Sequence, residues 1–156
     1  MTEAAIISRQ AKELGMPRSL FAGWGGWSQG GLSELAGGAE EGALAGDTFY
    51  PDDPDNPVAR HVAGKIRELY PDNPPCVFHG QAYAAGLTLV DALKRTKSLD
   101  GADMIKAIAE TKIPGPAGTI WFDAEGQNLG IPLVPMAWQG GKLTVIDKPY
   151  YAHKPN

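Results

Sequence analysis

Residues 19–31 read Ser19-Leu20-Phe21-Ala22-Gly23-Trp24-Gly25-Gly26-Trp27-Ser28-Gln29-Gly30-Gly31. A short apolar run, read as a strand from Ser19 to Ala22, passes into a glycine-rich loop carrying two tryptophans. Downstream, Leu32 to Ala36 predicts a short helix ended by Gly37-Gly38, and residues 43–50 (ALAGDTFY) alternate weakly, as a strand does. Upstream, Ala4, Ile7, Ala11 and Leu14 recur at helical spacing over residues 3–14, with Gly15 at the C′ position and Pro17 as the stop. Helix, strand, loop, short helix, strand is the rhythm of an open, parallel α/β sheet.

Beyond residue 50 the composition shifts. Pro51-Asp52-Asp53-Pro54-Asp55-Asn56-Pro57 is dense in turn formers and ends in a helix start, with Asn56 as N-cap and Pro57 at N1. Val58, Val62, Ile66 and Leu69 then make one stripe, so residues 57–69 are expected to be an amphipathic helix. After Pro71-Asp72-Asn73-Pro74-Pro75, residues 78–95 carry the longest helical pattern, with Tyr83, Leu87, Val90 and Leu93 facing inward and Lys94-Arg95 at the C-terminus. Asp100 caps a further helix over 101–111, with Met104, Ile105 and Ile108 inward. The last third reads as strands: 118–123, then 131–138 and 143–147 as a hairpin around Gly140-Gly141. Pro132 and Pro135 place the first hairpin strand at an edge or a bulge.

The chain has 156 residues, of which 43% are hydrophobic and 21% charged, a globular composition. At this length folding can bury roughly 68–70% of the unfolded surface. Fourteen Lys+Arg against eighteen Asp+Glu leave a net charge of −4, which argues against a nucleic-acid partner. Gly 20 and Pro 13 predict many turns. Cys76 is the single cysteine, so an intrachain disulfide and a Cys-built metal site are excluded. No run reaches the ~18 apolar residues of a membrane span. The first residues lack the basic and long apolar regions of a signal peptide, so the sequence as it stands is expected to be soluble with no export address.

Candidate chemistry is sparse. His61, His79 and His153 are scattered without ligand spacing, so no metal is expected. Asp52, Asp53 and Asp55 are interrupted by prolines and read as a solvated turn rather than a calcium loop. Gly26-Trp27-Ser28-Gln29-Gly30 matches the bare nucleophile-elbow pattern, which leaves a small serine hydrolase using Ser28 as a minor alternative. A phosphate cradle is not indicated, because neither a Lys-Ser/Thr pair nor G-x-G-x-x-G is present. Two tryptophans on flexible glycines at the carboxyl end of a strand are more telling, because open α/β sheets bind ligands there. Trp24 or Trp27 is therefore expected to line a ligand cleft. The structural alternative is that both cover the sheet edge or pack under the next helix.

The order of motifs resembles the type I periplasmic binding proteins, the leucine/isoleucine/valine-type solute-binding components of ABC importers. The resemblance runs through Arg9-Gln10-Ala11-Lys12-Glu13-Leu14-Gly15, Gly25-Gly26-Trp27-Ser28, Leu35-Ala36-Gly37 and Ala39-Glu40-Glu41-Gly42. It continues in Phe49 to Pro54, Ala82-Tyr83-Ala84-Ala85 through Leu93, Gly115 to Gly126, and Gly141-Lys142-Leu143. It implies part of a two-lobed fold of three-layer α/β/α lobes that close on a ligand. Residues 1–50 would then be the later part of the second lobe and 51–125 part of the first. Residues 126–156 would be C-terminal strands recrossing between lobes.

A usual family member is more than twice this length, so the resemblance implies a C-terminal portion, with the signal peptide and much of the first lobe belonging to the missing half. Helices at 57–69 and 78–95 would present apolar stripes to a sheet outside this chain, which also raises a swapped or homo-oligomeric assembly. The implied function is non-enzymatic: capture of a small-molecule ligand in the periplasm and delivery to a membrane permease, with no cofactor. A ligand-sensing domain of a regulator or receptor is the alternative with the same fold. The ligand-binding positions implied are Trp24, Gly25, Gly26, Trp27, Phe78 and His79. Amino-acid-binding members often carry an acid two residues before the loop tryptophan. Gly25 stands there in this sequence, which favours an aromatic or other organic acid as ligand. Tyr83 is expected in the core.

Overall fold

The computed structural model describes residues 1–17 and 22–153, with the side chain of Ala22 excepted. The predicted strand residues Ser19 to Phe21 lie outside the described residues. The chain divides into two compact units, residues 1–48 with 133–150, and residues 49–132 with 151 onward. The hairpin near the C-terminus falls in the first unit.

In the first unit, α1 (Thr2–Glu13), β1 (Ala22–Gly23), α2 (Leu32–Ala36) and β2 (Leu44–Asp47) follow the predicted order. They are joined by β5 (Val134–Gln139) and β6 (Lys142–Val145), in a four-stranded sheet of order β1-β2-β5-β6. Among the described residues only β1 and β2 pair in parallel, so the expected parallel sheet is a mixed one. The β5–β6 turn is Gly140-Gly141, both at positive φ (60° and 71°), as a tight hairpin turn requires. The Glu41 carboxylate accepts both of their amides, at 3.0 and 3.3 Å.

Pro135 does not put β5 at an edge, because β5 pairs with both β2 and β6. In an extended strand the N–H and C=O of one residue point to the same neighbour. The Pro135 carbonyl accepts Ile146 N–H at 3.1 Å, so the absent donor falls just past the end of β6 and breaks no β2 bond. The core of this unit is Ala4, Ala5, Leu32, Ala36, Ala39, Ala43 and Trp138, with Trp27 and Leu143 packed against it. Helix α1 buries Ala4, Ala5, Ser8 and Ala11; Ile7 and Leu14, expected inward, are exposed. The small residues of α1 let it lie close to α2, and the bulky ones fall on the flank.

In the second unit, α3 (Pro57–Leu69), α4 (Val77–Arg95) and α5 (Gly101–Ala109) are followed by a hairpin of β3 (Lys112–Gly115) and β4 (Gly118–Trp121). Strand β3 is absent from the sequence reading, because Pro114 and Gly115 mask its alternation. Asn56 caps α3: its Oδ1 accepts Val58 and Ala59 N–H, both at 3.0 Å. Its Nδ2 donates to the Gly115 and Pro116 carbonyls, so one side chain joins the helix start to the hairpin. The core is Phe49, Ala59, Val62, Ala63 and Val77, flanked by Val58 and Ile66. That places the α3 stripe inward as read, except Leu69, which is exposed.

Helix α4 differs from its reading. It buries Val77, Gly80 and Ala92, whereas Tyr83, Val90 and Leu93 are exposed and Leu87 is half-buried. Tyr83 is thus not core; its ring meets His61 edge-on, 6.5 Å between centroids. Ile105 of α5 is likewise exposed. Hydrophobic spacing identifies an apolar face but not whether anything covers it.

The end of α4 is tied down by Arg95. It hydrogen-bonds Asp91 and also donates to the Ala107 carbonyl at 2.6 Å and Thr111 Oγ1 at 3.1 Å. The hydrogen bond from Arg95 holds the Asp91 carboxyl below its ordinary pKa, with burial opposing. A depressed carboxylate adds stability above its unfolded pKa of about 3.9 and loses it as pH falls through the folded value. Asp91→Asn is therefore expected to cost about 0.5–1 kcal/mol at pH 7 and less at pH 2. Denaturant titrations of both proteins at the two pH values check this; an equal difference at both would refute the charge argument.

Candidate functional site

The glycine loop of the first unit follows β1 as one turn of 3₁₀ helix, Gly25–Trp27. Gly25 has φ +60°, a left-handed conformation that side chains resist, and the space around its Cα is open. Gly26 lies under Met1: a Cβ there would stand 2.8 Å from the Met1 nitrogen. The Trp27 indole lies directly on Gly23, where any Cβ would overlap ring atoms Cγ and Cδ1. The Trp27 carbonyl accepts the Trp138 indole N–H at 2.8 Å, pinning the loop to β5. Trp27 is therefore held inward against the core, and Trp24 is left with 51% of its surface exposed. Trp27 takes the packing alternative, and Trp24 stays open to solvent.

Ser28 is 6% exposed, and its hydroxyl donates to the Gly25 carbonyl at 3.0 Å. A nucleophile elbow needs the serine directly after a strand and open to substrate. Here β1 ends at Gly23 and a helical turn intervenes.

The other two candidates, Phe78 and His79, begin α4 in the second unit. Phe78 is 56% exposed. His79 completes a capping box: its Nδ1 accepts the Cys76 N–H at 3.1 Å, while Cys76 Sγ receives the His79 amide. Nδ1 is an acceptor in that bond, so the neutral ring carries its proton on Nε2. His79 thus has a structural duty at the helix start that its position in the sequence does not reveal. Trp24, Gly25, Gly26 and Trp27 are brought together in one unit, and Phe78 and His79 in the other.

In the acidic turn Asp52 and Asp55 are exposed as read, and Asp53 departs from that reading. Asp53 is 7% exposed and Asp52 pairs with Arg67 at 2.8 Å. The Asp53 Oδ1 accepts Asp55 N–H at 2.9 Å, an Asx-type turn that leads into the Asn56 cap. An aspartate two residues before another turn former was the available signal.

Open α/β sheets bind small ligands outside the carboxyl ends of their strands, and the loop that carries Trp24 follows β1 at that end. The pattern of the periplasmic binding proteins matches residues 2–142, and the chain belongs to that family. No curated protein sequence matches it significantly. Among solved structures, the leucine-binding protein LivK of Thermotoga maritima superposes with TM-score 0.84 at 28% identity, over 96% of this chain and 42% of its own. A branched-chain amino acid ABC transporter protein of Thermus thermophilus with bound valine gives 0.70 at 25%, over 95% and 43%. A solute-binding protein of R. palustris in complex with benzoate shares the fold, at 0.73 and 24%, over 92% and 39%. This chain thus spans about two-fifths of the length of these relatives.

Proposed function

We propose that the chain is part of the substrate-binding component of an ABC importer. In this reading it works outside the cytoplasm, captures a small organic solute between two lobes and delivers it to a membrane permease. Family membership over residues 2–142 supports this. The ligand is an aromatic or other organic acid rather than a zwitterionic amino acid. The observation that carries this is the pairing of a half-exposed Trp24 with Gly25 at φ +60°. Position 25 offers no carboxylate to an ammonium group, and Trp24 offers a ring face. The benzoate complex of the R. palustris protein is an instance of this fold with such a ligand.

Calorimetric titration tests the reading. Benzoate is expected to bind the 156-residue chain saturably and more tightly than leucine, though more weakly than a whole relative binds its ligand. Trp24→Ala is expected to weaken benzoate binding by about tenfold, the loss of one aromatic contact. Leucine binding tighter than benzoate overturns the ligand class.

A further inference from the structure

The second unit contains a cavity of about 490 Å³, between the turn that starts α3, the β3–β4 hairpin and the chain at Tyr151. This is within the range of small-molecule sites. Its walls include Asp53, Asp55, Thr119 and Tyr151, with Pro57 and Val58 as apolar surface. Among the described residues, His153 is the one basic side chain on the lining.

Asp53 is the unusual member. It is 93% buried by its 7% exposure, yet among the described residues its carboxylate accepts one hydrogen bond, from Asp55 N–H to Oδ1. Its Oδ2 accepts nothing from the described residues and is not sealed from solvent, so it is free to accept from a donor in the cavity that Asp53 lines. Asp55 adds a second acidic group to the same wall. Both carboxylates act on the Tyr151 phenol, whose pKa is raised first by burial and then by these two charges. The Tyr151 ring lies against Gly118, where a Cβ would come within 2.8 Å of Cε1. The glycine thus lets an aromatic face close one side of an acidic cavity. Aromatic faces attract cations as well.

The geometry points to a second ligand site in this cavity, specific for a small organic cation: a primary ammonium on an apolar stem. The ammonium donates to the Asp53 carboxylate and the Thr119 hydroxyl, and the stem rests on Pro57 and Val58. The site is separate from the Trp24 loop and goes beyond the solute reading above.

The test is a titration of the ¹⁵N-labelled full chain with n-butylammonium chloride, with sodium butanoate as the control of opposite charge. Saturable shifts at the Asp55, Thr119 and Gly130 amides are expected with the ammonium and not with the carboxylate. Asp53→Asn keeps the oxygen that accepts Asp55 N–H and removes the charge; it is expected to weaken binding at least about tenfold. Asp55→Asn, at an exposed side chain, is expected to weaken it less, about threefold. If Asp53→Asn loses amide dispersion and does not fold, the Asp55 variant decides. No saturable shift with butylammonium, equal shifts with butanoate, or unchanged affinity in the folded variants overturns the proposal. Trp24→Ala leaves these shifts unchanged, so this site and the solute reading fail separately.

Discussion

Replacing Trp138 with alanine is expected to cost about 3–5 kcal/mol, the range for removing a large buried aromatic. Trp138 is 1% exposed at the centre of the first unit's core. It packs with the small residues of α1 and α2, which cannot expand to fill the space it leaves. Its indole N–H also satisfies the Trp27 carbonyl at 2.8 Å. Trp138→Phe separates the two contributions. It retains most of the ring and removes the indole donor to that carbonyl, for an expected cost of about 1–3 kcal/mol. Denaturant unfolding followed by circular dichroism, with hydrogen exchange to assign the loss to the first unit, measures both. An alanine variant within about 1 kcal/mol of the parent would show that this ring does not hold the unit together. The hydrogen bond predicts a local effect too: in Trp138→Phe the Trp24–Ser28 loop should exchange faster than the sheet beneath it.

The second large effect is Phe49→Ala, again expected to cost about 3–5 kcal/mol, now in the second unit. Phe49 is 2% exposed and packs on Ala59, Val62, Ala63 and Val77. It also lies on Gly80 of α4, where a Cβ would meet its ring atoms at 2.9 Å. An alanine in place of a helix glycine normally stabilises by about 0.8–1 kcal/mol. Gly80→Ala should reverse that sign and cost about 1–3 kcal/mol, because the ring has no room to retreat. In the Phe49→Ala background the same change should stabilise, since the obstructing ring is gone. A double-mutant cycle reads this coupling directly. Additive effects would mean that the ring and the glycine are not in the contact described.

Much of the fold was legible in local sequence. Asn56-Pro57 marks the start of α3, Gly37-Gly38 the end of α2, and Gly140-Gly141 the hairpin turn, each because a backbone position demands a particular residue type. Strand neighbours were less legible. Pro135 reads as an edge residue, yet sits in an interior strand because β6 ends where the missing N–H would be needed. Burial was least legible where a helix has two apolar faces. Tyr83, Val90 and Leu93 share a stripe with helical period, and the stripe that is covered runs through Val77, Gly80 and Ala92 instead.

The candidate site divides the same way. The sequence by itself located the Gly23–Gly31 loop, its tryptophans and the lack of an acid at position 25, because those are statements about residue type and order. It also carried the family resemblance, which rests on the order of many short motifs along the chain. Only the tertiary structure decided that Trp27 turns inward and Trp24 remains exposed. That choice is made by Gly23 beneath the Trp27 ring and by the Trp138 indole, 111 residues away along the chain. The same holds for Asp53, which reads as a solvated turn residue and is buried, and for Glu40, which is fully buried with neither carboxyl oxygen partnered among the described residues. Residue type sets what a position can do locally. Whether water reaches it depends on what other segments bring to the same place, and that is a property of the packed chain.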